Sequence, residues 1–263
     1  MKLSVVIPAH DEEGSIEQTV RGIARVLDSE KIPHEILVVL DHCTDATAEV
    51  VAQLAHDVSG LVTVVNRDEA GFGMAVRAGL SAFTGDCVAI MMGDASDDPL
   101  DLVLYYRLLQ EGYDCAFGSR FVRGSKVVAY PVFKLIFNRL GNLFIRVLFR
   151  LPFNDVTNAF KCYRREVIAG CQPLISKHFN LTVELPLKAI VRGFTVASVP
   201  IHWYGRTDGV SSFKIKEMGS RYLFIILYAW LEKHLSRGDY RFHREAGRIE
   251  QGSIGDVLKR VKR

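Results

Sequence analysis

Three carboxylates stand within five positions at the end of one apolar run. Residues 87–92 contain no charged side chain, and Asp94, Asp97 and Asp98 follow them. An apolar run of this length predicts a buried strand, and open α/β sheets bind ligands at the carboxyl ends of their strands. Aspartate also holds hard divalent cations together with phosphate oxygens. The alternative is a turn in which Asp97 or Asp98 caps a helix that begins near Pro99.

Two other predicted strands also end in acidic residues. Asp11 and Glu12 follow strand 3–8, and Asp41 follows strand 35–40. Strands that alternate with helices predict βαβ units and a mainly parallel sheet, and right-handed crossovers bring the carboxyl ends of its strands to one edge. We therefore expect these carboxylates to form one site. The remaining predicted strands are 61–65, 115–118 and 196–204. The predicted helices are 16–27, 70–83, 99–109, 132–151 and 222–231, together with one that follows strand 35–40 and is capped by Thr44 or Asp45.

The composition is that of a globular protein. The chain has 263 residues, of which 49% are hydrophobic and 24% charged, and its net charge of +3 is too small to indicate nucleic acid as a partner. Five cysteines without close pairs indicate reduced thiols rather than disulfides or a zinc site. The chain runs from Met1 directly into a strand, and no apolar run reaches the ~20 residues of a spanning helix. We expect a cytoplasmic protein that does not cross the membrane.

The glycine pattern excludes the two common nucleotide-binding motifs. Gly71 and Gly73 follow the third predicted strand rather than the first, and the third glycine of a dinucleotide fingerprint is missing. No Walker sequence is present. A nucleoside phosphate must therefore be held in another way, by acidic residues and a metal ion.

Several segments match a known family in order and spacing. Residues 8–13, 41–47 and 71–79 read PAHDEE, DHCTDAT and GFGMAVRAG. They resemble the P-A-Y-N-E-E, D-D-G-S-T-D-G-T and G-K-G-A-A-V-R-A-G elements of family 2 glycosyltransferases with the GT-A fold. Residues 118–122, 155–161 and 206–214 are similar to the G-S-R-Y-V, D-x-T-S-G-F-R and R-x-x-G-x-S-K elements of the polyprenyl-phosphate (dolichol-phosphate) hexosyl synthases. The resemblance covers roughly residues 3–216, and it implies an α/β GT-A fold, with a mainly parallel central sheet flanked by helices.

The resemblance implies a donor pocket for a nucleotide sugar. Its carboxylates would accept hydrogen bonds from the base, and its glycines would allow close approach to the sugar nucleotide. Glu12 as a first-turn helix carboxylate and the glycines as a plain turn are the alternatives. Leu40 stands where the family has Asp, so the base is left open between guanine and uracil. The implied donor residues are Pro8, Ala9, Glu12, Asp41, Gly71 and Gly73, with Arg206 and Ser211 closing over the diphosphate.

The family's D-A-D motif implies a metal site for Mg²⁺ or Mn²⁺. Asp94 matches its second Asp and is the expected ligand, with Asp97 as a second one. Met92 stands where the family has the first Asp. The donor diphosphate and water would supply the other oxygens of an octahedral shell.

The resemblance also implies a site for an acceptor phosphate. Arg120 matches the family's first phosphate-binding Arg, while Lys134 and Asn138 occupy the places of a second Arg and a Ser. Arg139 is an alternative phosphate partner, and a plain surface charge is the alternative for each cation. Asp155 would orient the acceptor, or act as a base if the acceptor is a hydroxyl. The implied catalytic residues are Asp94, Arg120 and Asp155.

Two apolar segments indicate peripheral contact with a membrane surface. Residues 132–151 have a broad apolar face with basic residues among it, which is typical of an interfacial helix, although packing on the domain is the alternative. We predict a GT-A domain over 1–216, which includes this helix at about 131–151. A C-terminal apolar amphipathic helix and a basic tail at 217–263 would follow, with a short helix near 254–261. Peripheral attachment to the inner face of the membrane would follow from these features.

Together, these features predict an inverting transferase that moves mannose or glucose from GDP-mannose or UDP-glucose to a polyprenyl phosphate. Two alternatives stay open. One is a soluble enzyme that uses a sugar or small-molecule hydroxyl as acceptor. The other is an inactive sugar-nucleotide-binding protein, which the missing carboxylate at Met92 would favour.

Overall fold

The computed structural model describes residues 1–205 and 215–242. Strands and helices alternate along most of this range. The strands are β1 (Leu3–Ala9), β2 (His34–Leu40), β3 (Leu61–Val65), β4 (Cys87–Ile90), β5 (Cys115–Ser119), β6 (Lys126–Val128), β7 (Lys161–Arg164), β8 (Val196–Pro200) and β9 (His202–Tyr204). The helices are α1 (Ile16–Ser29), α2 (Thr47–Asp57), α3 (Phe72–Ala82), α4 (Leu100–Gln110), α5 (Val132–Phe149), α6 (Arg165–Gly170), α7 (Leu181–Val191) and α8 (Ile215–Leu235).

Seven of the described strands form one sheet in the order β3-β2-β1-β4-β7-β5-β8. All neighbours pair in parallel except β7, which runs antiparallel between β4 and β5. The strand order reverses between β1 and β4, because the chain moves outward from β1 to β3 and then returns to the other side of β1. A switch point of this kind leaves a crevice at the carboxyl ends of the two strands, where such sheets bind ligands. The predicted mainly parallel α/β sheet is confirmed.

Alternating side chains of each central strand enter two separate cores. Val5 and Ile7 of β1 face α1, α2 and α4, whereas Val6 faces α3 and α7. Both faces of the sheet are therefore covered, which explains why β1 and β2 are apolar at nearly every position. Gly79 lets α3 approach closely, since a Cβ there would clash with Val6 of β1.

Three predicted elements differ from the structure. The fourth strand ends at Ile90 rather than Met92, and the predicted strand 196–204 is divided at Ile201. Its first part, β8, completes the large sheet, while β9 pairs with β6 in a separate ribbon. The apolar segment predicted to be helical over 222–231 is longer and extends from Ile215 to Leu235.

The helices α5 and α8 are largely apolar and only partly covered. Ile145 and Phe149 of α5 are buried, and Ile225 and Ile226 of α8 join the same core. Helix α8 lies almost entirely beyond the domain boundary predicted at residue 216, yet it packs into the same core as the residues before that boundary. Among the described residues, no helix is both long and apolar enough to cross a bilayer. The predicted helix at 254–261 lies outside the described residues.

Candidate active site

The loops after β1, β2 and β4 meet at the switch point of the sheet. The hydroxyls of Ser15, directly before α1, and Thr19, in its first turn, donate to the carbonyl oxygen of Gly93 at 2.9 and 3.0 Å. Asp11 accepts hydrogen bonds from the backbone N–H and the hydroxyl of Thr44, at 2.7 and 3.1 Å. These bonds join the three acidic loops into one rim, as the parallel topology predicted. Because hydrogen bonds to Thr44 favour its charged form, the pKa of Asp11 is lowered.

Asp41 is buried and fixed by its own chain. One carboxylate oxygen accepts from Asn66 Nδ2 at 2.7 Å, and the other accepts from the Gly71 N–H at 2.9 Å. Asn66 is also buried and directly follows β3. Asn66 orients the Asp41 carboxylate, and it lies outside the sequence motifs that resemble the family. A polar residue directly after a strand on the same sheet edge is the signal that could have found it.

The predicted donor glycines lie against a segment of the same chain. A Cβ at Gly71 would come within 2.6 Å of the Lys177 carbonyl oxygen, and one at Gly73 within 2.6 Å of the Ser176 carbonyl oxygen. The 176–178 backbone therefore requires glycine at both places, whatever ligand binds nearby. Close approach of the sugar nucleotide to these glycines stays a prediction. Of the other donor residues, Pro8, Ala9 and Glu12 lie at the end of β1 and in the loop that follows it.

The three carboxylates after β4 have different surroundings. Asp98 Oδ1 accepts from the Leu100 N–H at 3.0 Å and so serves the start of α4, as the capping alternative predicted. Asp97 is buried and accepts from the Met92 N–H at 3.2 Å. Burial, followed by the negative charge of Asp94, raises the pKa of Asp97 to about 7. Asp94 is half-buried and accepts from the Ser96 N–H at 3.1 Å.

These carboxylates suit a hard divalent cation. Asp94 and Asp97 offer oxygen ligands, which Mg²⁺ and Mn²⁺ prefer. Their mutual repulsion, visible in the raised pKa of Asp97, is what a bound cation would offset. A second group, Asp11, Cys43 and Asp45, has its ligand atoms within 4.8 Å of one another, but its two carboxylates are engaged with backbone and hydroxyl groups of the same loops.

Arg120 and Asp155 form a buried ion pair. Arg120 Nε and Nη2 donate to the two oxygens of Asp155, each at 2.8 Å, and the Arg120 backbone N–H donates to the same carboxylate at 3.0 Å. The side chains are 8% and 0% exposed. Although burial lowers the pKa of Arg120, the charge of Asp155 outweighs this and raises the pKa above its ordinary value. The two predicted catalytic residues are thus brought into direct contact, with the guanidinium held by the carboxylate.

The other predicted acceptor residues surround Tyr130. The Lys134 ammonium lies 5.9 Å and the Arg120 guanidinium 5.7 Å from the centre of its ring. Asn138 Nδ2 donates to the phenol oxygen at 3.3 Å. Arg139, the alternative phosphate partner, lies over Phe121, which directly follows Arg120. Two arginines and a lysine are therefore gathered around aromatic rings at the start of α5, beyond the rim that holds Asp94.

Lys161 is buried below this cluster. Its ammonium donates to the Thr182 carbonyl oxygen at 3.4 Å and lies 5.7 Å from the Phe117 ring. Burial lowers the pKa of Lys161 to about 7, while the charges of Asp155 and Asp97 act in the opposite direction. Two cations and two carboxylates thus interact electrostatically inside the protein.

The sequence comparisons decide the family. Residues 4–170 match the profile of Glycosyl transferase family 2, and the sheet order and the acidic rim agree with the fold predicted from the resemblance. The chain belongs to glycosyl transferase family 2. The family and fold predicted from the sequence are confirmed, and as a member of this family the chain is a glycosyltransferase.

Two curated relatives differ in how much of their length this glycosyltransferase covers. It is 32% identical over 233 residues to the polyprenol monophosphomannose synthase of Mycolicibacterium smegmatis, and the match covers 82% of this chain and 86% of that protein. It is 29% identical over 213 residues to glycosyltransferase AglD of Haloferax volcanii, over 79% of this chain but 34% of that protein.

Solved structures with the same fold come from a glucosyl-3-phosphoglycerate synthase of Mycobacterium tuberculosis. Its complex with Mn²⁺, UDP-glucose and phosphoglyceric acid superposes with a TM-score of 0.68 at 17% identity, covering 87% of this chain and 79% of that one. Its Mg²⁺ and UDP complex gives a TM-score of 0.64 at 18% identity, and the superposition covers 88% of this chain and 79% of that one. At this identity the likeness is one of fold. The roles of individual residues stay predictions, and Arg206 and Ser211 lie outside the described residues.

Proposed function

We propose that this glycosyltransferase moves a hexose from a nucleotide sugar to a polyprenyl phosphate, with inversion at the anomeric carbon. The relative with 32% identity over most of both chains is named a polyprenol monophosphomannose synthase, which supports the acceptor class. The observation that carries the proposal is the cluster of Arg120, Tyr130, Lys134 and Asn138 next to the acidic rim. Cations that converge at this place suit a phosphate monoester.

On the donor side, Asp94 is proposed to hold a divalent cation, with Asp97 behind it. When bound, the cation would neutralise the charge that develops on the departing nucleoside diphosphate. Asp41, fixed by Asn66 and Gly71, would face the nucleoside with its orientation already set. Guanine and uracil both remain candidates for the base.

On the acceptor side, an ionised phosphate is already nucleophilic near neutral pH, so no general base is required. Arg120 and Lys134 would hold this phosphate in line with the sugar, and catalysis would come from positioning and charge. Asp155 uses both oxygens to fix the Arg120 guanidinium. We therefore assign Asp155 the positioning of Arg120 rather than proton abstraction.

The membrane contact is proposed to involve the uncovered faces of α5 and α8. Phe133 is 80% exposed and Val147 69%, and Phe224 of α8 is 61% exposed. An apolar face of this size marks an interaction surface. The basic residues of α5 lie among these side chains, which suits the anionic headgroups of a bilayer surface.

The reaction is tested by incubating the protein with Mg²⁺, a short polyprenyl phosphate and radiolabelled GDP-mannose or UDP-glucose. We expect label in the organic phase with one donor, and none when polyprenol replaces its phosphate. Arg120→Met should reduce transfer at least 100-fold if the charged contact contributes about 3 kcal/mol. The exposed Arg123→Met is the matched control and should leave transfer unchanged. Label that stays in the aqueous phase with both donors would contradict the proposal.

The membrane contact is tested by sedimentation with vesicles of phosphatidylcholine, with and without phosphatidylglycerol. The double variant Phe133→Ser and Phe137→Ser should bind vesicles at least 10-fold more weakly, because two exposed rings leave the apolar face. Leu100→Ser, which removes a side chain 62% exposed on α4, is the control. Equal sedimentation of all three proteins would refute this part of the proposal.

A further inference from the structure

Two hydrogen-bonded amides, the buried Asn142 and the half-buried Asn138, form a row that leads from the backbone after Asp155 to Tyr130. Asn142 is 1% exposed, and its Oδ1 accepts from the N–H groups of Val156 and Thr157, at 2.6 and 3.2 Å. A backbone N–H can only donate, so the oxygen of this amide must face 156–157. The orientation of the Asn142 side chain is thereby fixed.

This orientation determines the next amide in the row. Asn142 Nδ2 donates to Asn138 Oδ1 at 2.7 Å, and the Thr157 hydroxyl donates to the same oxygen at 3.3 Å. With its oxygen facing these donors, Asn138 turns its Nδ2 toward the phenol oxygen of Tyr130. The Arg120 guanidinium lies over the same ring, 5.7 Å from its centre. The phenol oxygen therefore acts as an acceptor toward its own protein.

Because the Asn138 amide N–H only donates to it, the phenol must direct its own hydrogen elsewhere. Burial raises the pKa of Tyr130, so its O–H keeps the proton at neutral pH. The ring is fixed by a contact with Trp203 at 4.8 Å between centroids, and the Lys134 ammonium lies on its face. The ring that carries this hydrogen-bond donor thus lies against two cations, Arg120 and Lys134.

We propose that the Tyr130 O–H is a third ligand of the acceptor phosphate, aimed by the Asn142–Asn138 row. The assignment deepens the proposed function and rests on it for the identity of the acceptor. The bond would form when the acceptor binds and persist through transfer, so its loss should raise the KM for the acceptor and leave kcat and the donor KM unchanged.

The test compares Tyr130→Phe, which keeps the ring, with Tyr106→Phe as the control. Tyr106 lies in α4, and its phenol donates to the Met1 carbonyl oxygen. In the transfer assay, we expect the acceptor KM to rise about 10-fold or more for Tyr130→Phe and to stay unchanged for Tyr106→Phe. Asn138→Ala added to Tyr130→Phe should cause little further loss, because the amide acts through the phenol. An unchanged acceptor KM for Tyr130→Phe overturns the inference. If the double variant raises the acceptor KM by the product of the two single effects, Asn138 does not act through the phenol.

Binding of farnesyl phosphate, followed by calorimetry, needs no turnover and separates the two claims. If the wild-type protein transfers no sugar to lipid but binds farnesyl phosphate about 10-fold or more tightly than Tyr130→Phe does, the proposed function fails and the phosphate ligand stands. If both proteins bind farnesyl phosphate with equal affinity, Tyr130 is not a ligand of the phosphate, even if transfer is observed. Unchanged thermal unfolding of Tyr130→Phe shows that the effect is not a loss of fold.

Discussion

Replacing Asp155 by alanine should leave the Arg120 guanidinium buried without its partner. The substitution removes three hydrogen bonds from Arg120, through Nε, Nη2 and the backbone N–H. It also removes from Lys161, which is 1% exposed, the carboxylate charge that favours its protonated form, so this side chain can lose its proton and adds little to the cost. Asp97 also interacts electrostatically with both side chains.

The expected cost follows from the burial of the pair. Removal of one partner of a buried ion pair costs about 3–5 kcal/mol of unfolding free energy. With a urea m-value of about 3 kcal/mol per M, the midpoint of unfolding should fall by about 1–1.7 M.

Urea unfolding followed by circular dichroism at pH 7.5 measures this cost. The double variant Arg120→Met and Asp155→Leu is the informative control, since apolar residues of similar size replace a buried pair at little cost. It should regain most of the lost stability but none of the activity. If Asp155→Ala unfolds at the wild-type urea concentration, the carboxylate does not hold the guanidinium and the positioning role assigned to it is wrong.

Three further outcomes are expected. Burial alone would raise the pKa of Glu35, but its hydrogen bonds lower it to about 2. It thus contributes about 3 kcal/mol of stability above pH 4.5 that is lost as the pH falls toward 2, and urea unfolding of Glu35→Gln should show this pH dependence flattened. Gly73→Ala should destabilise by about 1–3 kcal/mol through a backbone clash, whereas Gly141→Ala, in open space on α5, should stabilise by up to about 1 kcal/mol in thermal unfolding. Asp94→Asn should abolish metal-dependent binding of GDP-mannose or UDP-glucose in calorimetry, as EDTA should for the wild type, while Asp98→Asn should not.

The alternating strands and the acidic rim were predictable, because long apolar runs and strand-end carboxylates are local signals. The antiparallel strand β7 was not. Its sequence, Lys161 to Arg164, has charged residues at both ends and no apolar run, yet Lys161 is fully buried. Burial of its ammonium is compensated in part by Asp97, which is distant in sequence, and by the Thr182 carbonyl oxygen. A local pattern cannot show such compensation.

The helix α7 was missed for a similar reason. Pro186 lies inside it and would ordinarily end a helix. Packing on the second core retains it, through Leu181, Leu185 and Leu187. The ion pair between Arg120 and Asp155 also spans 35 positions. The family motifs identified both residues, but only the fold reveals that one holds the other.

The place of Met92 bears on how the metal motif works in this chain. The family's first Asp is absent there, but the Met92 N–H donates to Asp97, so a carboxylate lies against the backbone of that position. Asp97 is only 4% exposed and its pKa is raised to about 7, mainly by burial. A bound cation would favour the charged form of this carboxyl. We therefore propose that Asp94 makes the contact with the cation, while Asp97 lies behind it and takes its charged form when the cation binds.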